Sequence, residues 1–104
     1  MSIVVDLDQL AATLAQYPFG YLLTTGQRGV KAISVTAAVI DGRVDIPVGS
    51  GGTADNLARD PRATLLFPPV TPDGYTLLVD GTASATTRGF ALEPFSAVLH
   101  RSER

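Results

Sequence analysis

The chain has 104 residues, 45% of them apolar and 17% charged, enough for one domain with a real core and too apolar for a disordered segment. Its net charge of −2 comes with basic residues spread singly along the chain, which argues against nucleic acid as a partner. Cysteine is absent, which excludes disulfides, thiolate metal sites and a cysteine nucleophile.

The first residues, Met1-Ser2-Ile3-Val4-Val5-Asp6, carry no basic n-region and no long apolar run, so no signal peptide is expected. No stretch approaches the ~18 apolar residues of a membrane span. The expectation is a cytoplasmic protein with no membrane partner. The low charge further points to surface hidden against a partner subunit, because a small monomeric domain needs more charge to stay apart.

Asp6 to Tyr17 reads as a helix. Asp6 is a good N-cap with Gln9 in capping-box spacing. Leu7, Leu10, Ala11 and Leu14 form one apolar stripe, and Pro18 ends the helix. Phe19 to Thr25 reads as a strand and Gly26 to Gly29 as a turn. Val30 to Ile40 is a longer strand with clear alternation. Ile33, Val35, Ala37 and Val39 make its core face. Ala32, Ser34, Thr36 and Ala38 make a small, mildly polar face suited to a ligand ring or a second subunit; a solvated outer face is the other reading.

Asp41-Gly42 is a strong two-residue hairpin signal. Arg43 to Val48 is the returning strand, with Pro47 marking an edge or the strand's end. The glycine-rich loop Gly49-Ser50-Gly51-Gly52 then delivers Thr53 as the expected N-cap of a short helix that Asp60-Pro61 stops. Strand, loop and helix N-terminus together make a place where backbone N–H groups can face an anion. Ala63 to Phe67 and Tyr75 to Thr86 are strands, and Gly81 inside the second hints at a bulge. Phe90 to His100 is extended, with a possible break at Glu93-Pro94. Six or so strands with short turns and two helices point to a mainly β fold, a barrel or sandwich in a single domain, residues 1–104.

Gly49 to Ala54 fits G-x-G-x-x-G/A, but the following helix is too short and no βαβ unit surrounds it, so a dinucleotide domain is rejected. The P-loop lysine is missing, so NTP hydrolysis is unsupported. His100, the only histidine, cannot build a common metal site without cysteine, and it reads as a surface or interface residue. Asp80, mid-strand, is either solvated, paired across the sheet or at a subunit contact, with pairing to an arginine the favoured reading. No catalytic residue and no metal site can be assigned from these motifs. An enzyme with so little chemistry of its own must borrow it from a cofactor.

The order Y-L-L-T-T-G, K-A-I-S-V-T, D-G-R-V-D-I-P-V-G-S, N-L-A-R-D-P-R-A-T-L-L-F and G-Y-T-L-L-V-D-G-T-A resembles the pyridoxamine 5′-phosphate oxidase-like, FMN-binding split-barrel superfamily. The most telling pieces are Asn56 to Leu65 and Leu78 to Ala83, and the resemblance runs from about Leu10 to Arg101. It implies a six-stranded Greek-key split barrel, homodimeric, with flavin in a groove between subunits. By resemblance, cofactor contacts fall on Ile33, Ser34, Val35 and Thr36, on Val48, Gly49 and Ser50, and on Thr53 and Asn56. The cofactor implied is FMN, with FAD or a deazaflavin coenzyme as alternatives; other members use haem. Many FMN-binding members carry Lys or Arg three residues before the Asn-Leu pair, gripping the phosphate. This chain has Thr53 there, and the preceding strand offers only Lys31. Binding weak enough to leave the protein empty as purified follows from that departure.

Two readings of function stand at this point. One is a flavin- or deazaflavin-dependent oxidoreductase acting on a small molecule. The other is a non-catalytic module that binds or carries a flavin or another anionic ligand.

Overall fold

A computed structural model of the chain describes residues 1–102. Its strands are β1 (Ser2–Val4), β2 (Gly20–Gly26), β3 (Gly29–Val35), β4 (Ala38–Ile40), β5 (Arg43–Ile46), β6 (Arg62–Phe67), β7 (Thr76–Thr86) and β8 (Gly89–His100), with helices α1 (Leu10–Leu14) and α2 (Gly51–Arg59). All pairings are antiparallel, in the order β3-β2-β6-β7-β8-β5-β4, with β1 added on β8. The two ends of that order, β3 and β4, are successive pieces of one strand. The strand pairs first with β2 and then, past Thr36 and Ala37, with β5. One bent strand thus belongs to both ends of the sheet and curls it into a split barrel.

The expected continuous strand from Val30 to Ile40 is therefore broken. Alternation survives the break, with Val35 buried, Ile33, Ala37 and Val39 half-buried, and Ala32, Ser34, Thr36 and Ala38 all exposed. Alternation reports the two faces of a strand and says nothing about which neighbour it pairs with, so the switch was invisible in sequence.

The hairpin between β4 and β5 is the two-residue turn expected. Ile40 pairs with Arg43, and Asp41 and Gly42 both have positive φ, 52° and 79°, as a type I′ turn requires. The bulge at Gly81 is also present. Asp80 pairs with Ser96 but Gly81 pairs with Pro94, leaving Phe95 extra on β8. A Cβ on Gly81 would lie 2.2 Å from the Glu93 carbonyl oxygen, so only glycine lets the strands approach here. The bulge absorbs Pro94, which has no N–H to give, and β8 runs on where a break was possible.

The barrel interior is filled by Leu22, Val44, Ile46, Leu65, Phe67, Leu77, Val79 and Leu92, all 0% exposed. The first helix is far shorter than the apolar stripe predicted. Leu7 to Gln9 is a 3-10 turn, α1 has five residues, and Asp6 makes no side-chain cap. Of the stripe only Leu10 and Leu14 are buried, while Leu7 and Ala11 are exposed. So short a helix is unstable alone; burying those two leucines, at about 1.5–3 kcal/mol each, holds it on the barrel. Tyr17, just beyond, donates its hydroxyl to the Tyr75 carbonyl at 2.8 Å and packs its ring on Phe67.

Candidate functional site

The chain leaves β5 at Ile46, passes Pro47, Val48 and Gly49, and enters α2 at one end of the barrel. Ser50, and not Thr53, is the N-cap. Its backbone is extended and its Oγ accepts the Thr53 N–H at 3.2 Å. Ser50 Oγ in turn donates to Thr53 Oγ1 at 2.9 Å. Thr53 is the third helical residue and only 1% exposed. The cap moved because either hydroxyl can cap, and the glycines between them tolerate helical geometry at modest cost. Helix α2 ends at Arg59 with Asp60 as C-cap, as the Asp60-Pro61 pair predicts.

This shift rearranges the charges near the helix start. Asp55 lies beyond the first turn, which contains no acidic residue. The N–H groups of Gly51 and Gly52 cannot bond within the helix, and both residues are exposed. Across Gly52 lies Lys31, the chain's only lysine. A Cβ on Gly52 would meet Lys31 Cε at 3.2 Å and Nζ at 3.4 Å. Among the described residues Lys31 forms no ion pair, whereas Arg43, Arg62 and Arg88 each hold a carboxylate. A cation at a helix N-terminus stands at the unfavourable end of the macrodipole. An anion between them would satisfy both.

Asn56 lies one turn further, 6% exposed. Its Nδ2 donates to Thr24 Oγ1 at 3.1 Å, and its Oδ1 accepts from Arg59 at 3.1 Å. That network ties α2 to β2, whose Thr24 pairs with Lys31 of β3. The start of β3 and the start of α2 are thus held together by Asn56 and Lys31.

Strand β3 terminates the sheet, so its edge away from β2 is free to hydrogen-bond a ligand. Ile33 and Val35 point into the core and can offer such a ligand only backbone groups. Ser34 and Thr36 point outward, exposed, and lie three and five positions beyond Lys31, roughly 10–17 Å along the strand. Val48 is half-buried against the core and Gly49 is exposed. The structure therefore joins Lys31, Ser50, Thr53 and Asn56 into one cluster, with Ser34 and Thr36 extending away along the same strand. Lys31 was visible in the sequence only as a basic residue at a strand's start; its contact with Gly52 is long-range and left no local signal.

Asp80 is not paired with an arginine. It accepts a hydrogen bond from Thr64 Oγ1, directly across on β6. The reason is register: the outward neighbours of Asp80 are Thr64 and Ser96, and no arginine lies in that row. Among the described residues, no cluster of His, Asp and Glu could hold a metal ion, and no helix is long and apolar enough to cross a membrane.

No protein-family model matches the chain. Two uncharacterised proteins, from Mycobacterium bovis and Mycobacterium tuberculosis, are each 40% identical to it over 114 aligned positions, covering 93% of this chain and 80% of theirs. Among solved structures, an FAD-binding protein of Mycobacterium smegmatis superposes with a TM-score of 0.68 at 13% identity, covering 97% of this chain and 100% of that one. A candidate pyridoxamine 5′-phosphate oxidase of Listeria innocua gives 0.62 at 18% identity, covering 90% and 91%. A haem-binding protein of M. smegmatis gives 0.58 at 24% identity, covering 81% of this chain and 38% of that protein.

Proposed function

We propose that the chain, which shares the split-barrel fold of these neighbours, is a member of the pyridoxamine 5′-phosphate oxidase-like superfamily and a flavin-binding protein of the oxidoreductase type. The observation that carries the reading is the placement of Lys31 over Gly52, beside the free N–H groups that open α2. A cation without a carboxylate partner, set against the positive end of a helix, fits a phosphate. The residues present therefore suit a phosphate-bearing flavin, and Lys31 supplies the charge that Thr53 does not.

In this reading Lys31 Nζ and the N–H groups of Gly51 and Gly52 hold the phosphate. The free edge of β3 from Ile33 to Val35, with Thr36 just beyond it, offers backbone donors and acceptors to the ring system, and Val48 and Gly49 border the opposite side. Ser50 and Thr53 shape the helix start, their hydroxyls engaged with each other, and Asn56 fixes the helix against β2. Bound flavin supplies hydride or electron transfer; the chain orients it and screens one face from water.

The same reading includes a homodimer. On the outer face of the sheet one row runs Ser34, Tyr21, Leu66, Leu78, Val98 and Val4, with Tyr21 and Val4 37% and 77% exposed. Leu66, Leu78 and Val98 between them are half-buried. An apolar row of this length is unusual on a monomer and suits an interface of about 2,000 Å² or more of total buried area.

Titration of the purified protein with FMN, FAD, a deazaflavin coenzyme and haem, followed by absorbance and flavin fluorescence, tests the proposal. Saturable binding of a flavin is expected. Failure of every flavin to bind, or binding of haem alone, would refute it.

A further inference from the structure

The other end of the barrel carries a second feature that flavin binding leaves unexplained. A half-open cleft of about 800 Å³ lies between the β6–β7 loop and the end of β8, lined by Pro69, Pro72, Asp73, Thr76, His100 and Arg101 among others. Its volume is in the range of small-molecule sites. It is distinct from the Lys31 cluster. Along β7 five positions separate Gly81, level with Ala63 and Thr24, from Thr76, which pairs with His100, or roughly 17 Å.

The polar groups of the cleft are held in place. The guanidinium of Arg101 sits over the Tyr75 ring, 4.8 Å from its centroid, and its Nη1 reaches the Asp73 carbonyl at 3.5 Å. Tyr75 is itself fixed, its carbonyl accepting from Tyr17. Among the described residues Arg101 has no carboxylate partner, so most of its five donors are open. His100 hydrogen-bonds Ser2 Oγ through Nδ1 at 3.0 Å, which orients the ring and leaves Nε2 available. Against these stands one carboxylate, Asp73, exposed. Proline rings supply a flat apolar wall. An oriented guanidinium and an imidazole beside an apolar wall make a receptor for an oxyanion attached to a small apolar body.

We propose that this cleft binds a small organic oxyanion, a carboxylate or a phosphate ester, with the anionic group on Arg101 and His100 and the apolar part on Pro69 and Pro72. The site stands independently of the flavin reading.

The test uses phenyl phosphate and benzoate as probes of the full-length chain, followed by amide and imidazole chemical shifts. Saturable shifts should centre on Thr76, His100 and Arg101, and the tighter of the two probes identifies the oxyanion class. Arg101→Gln should weaken that probe at least tenfold. Arg101→Lys, which keeps the charge over Tyr75 but loses the fork, should weaken it less and serves where the glutamine variant fails to fold. Lys31→Gln should leave the affinity unchanged. No saturable binding of either probe, binding that survives both Arg101 variants undiminished, or shifts centred on Lys31 and Gly52 would each overturn the proposal.

Discussion

Thr64 donates its hydroxyl proton to Asp80 across the β6–β7 pair, two residues directly opposite each other on the outer face of the sheet. The bond explains a carboxylate in the middle of an otherwise apolar or neutral row of side chains. Thr64→Val keeps the strand propensity and removes the donor. It should lower stability by about 0.5–1.5 kcal/mol, the net value of a partly solvated hydrogen bond. Asp80→Asn retains an acceptor for Thr64 and should cost less. Urea denaturation measures both; a Thr64→Val protein as stable as the parent would show that the bond contributes nothing.

The bulge at Gly81 makes a sharper demand. A methyl group there meets the Glu93 carbonyl oxygen and the Leu92 side chain, and backbone cannot move aside as a flexible side chain can. Gly81→Ala should cost about 1–3 kcal/mol, the usual range for overpacking. A thermal midpoint unchanged by the substitution would contradict this close approach of β7 and β8.

Asp60 carries the one strong carboxylate shift. Hydrogen bonds from the Arg62 side chain and backbone, and the guanidinium charge, hold its pKa down at about 2, below the ordinary 3.8. A lowered folded-state pKa stabilises the fold above the unfolded value, and that contribution is lost as pH falls from about 3.8 through about 2. The pair is solvated, with Arg62 78% exposed, so the gain is small. Arg62→Gln should return the Asp60 titration toward the ordinary value in a carboxyl NMR experiment. A titration that stays near its old midpoint would assign the shift to something other than Arg62.

Much of the barrel was legible because its signals are local. Asp41-Gly42 demands a turn with positive φ, Gly81 marks a close approach, Pro47 ends β5, and alternation separates Ile33 and Val35 from Ser34 and Thr36. The misses are long-range or marginal. Strand β1 has only three residues and exists because β8 offers an edge. The break after Val35 follows from a change of partner. In the helix at Asp6, tertiary packing kept only Leu10 and Leu14 of a stripe the sequence advertised in full. At the site, the loop and the strand could each be read, but their meeting through Lys31 and Gly52 could not. The capping shift from Thr53 to Ser50 turned on two equivalent hydroxyls. It also changes what Thr53 can accept: a lysine at this buried position would place an unpaired charge in the barrel end, so Thr53→Lys should destabilise the fold.

The dimer can be tested on the same outer face. Leu78 sits between Leu66 and Val98 in the apolar row. Leu78→Glu should leave the fold intact by circular dichroism, because the side chain points away from the core. It should convert a dimer to a monomer in sedimentation velocity at micromolar concentration. A parent protein that is already monomeric there would remove the homodimer from the account.

The most direct test of the central claim compares FMN with riboflavin, which share a ring system and differ by the phosphate, in the parent protein and in Lys31→Gln. If Lys31 and the α2 N-terminus grip the phosphate, the parent should bind FMN at least about tenfold more tightly than riboflavin, about 1.4 kcal/mol. Lys31→Gln should lose most of that difference while leaving riboflavin affinity unchanged. Equal affinity of the parent for the two flavins, or a preference for FMN that survives Lys31→Gln, would contradict it.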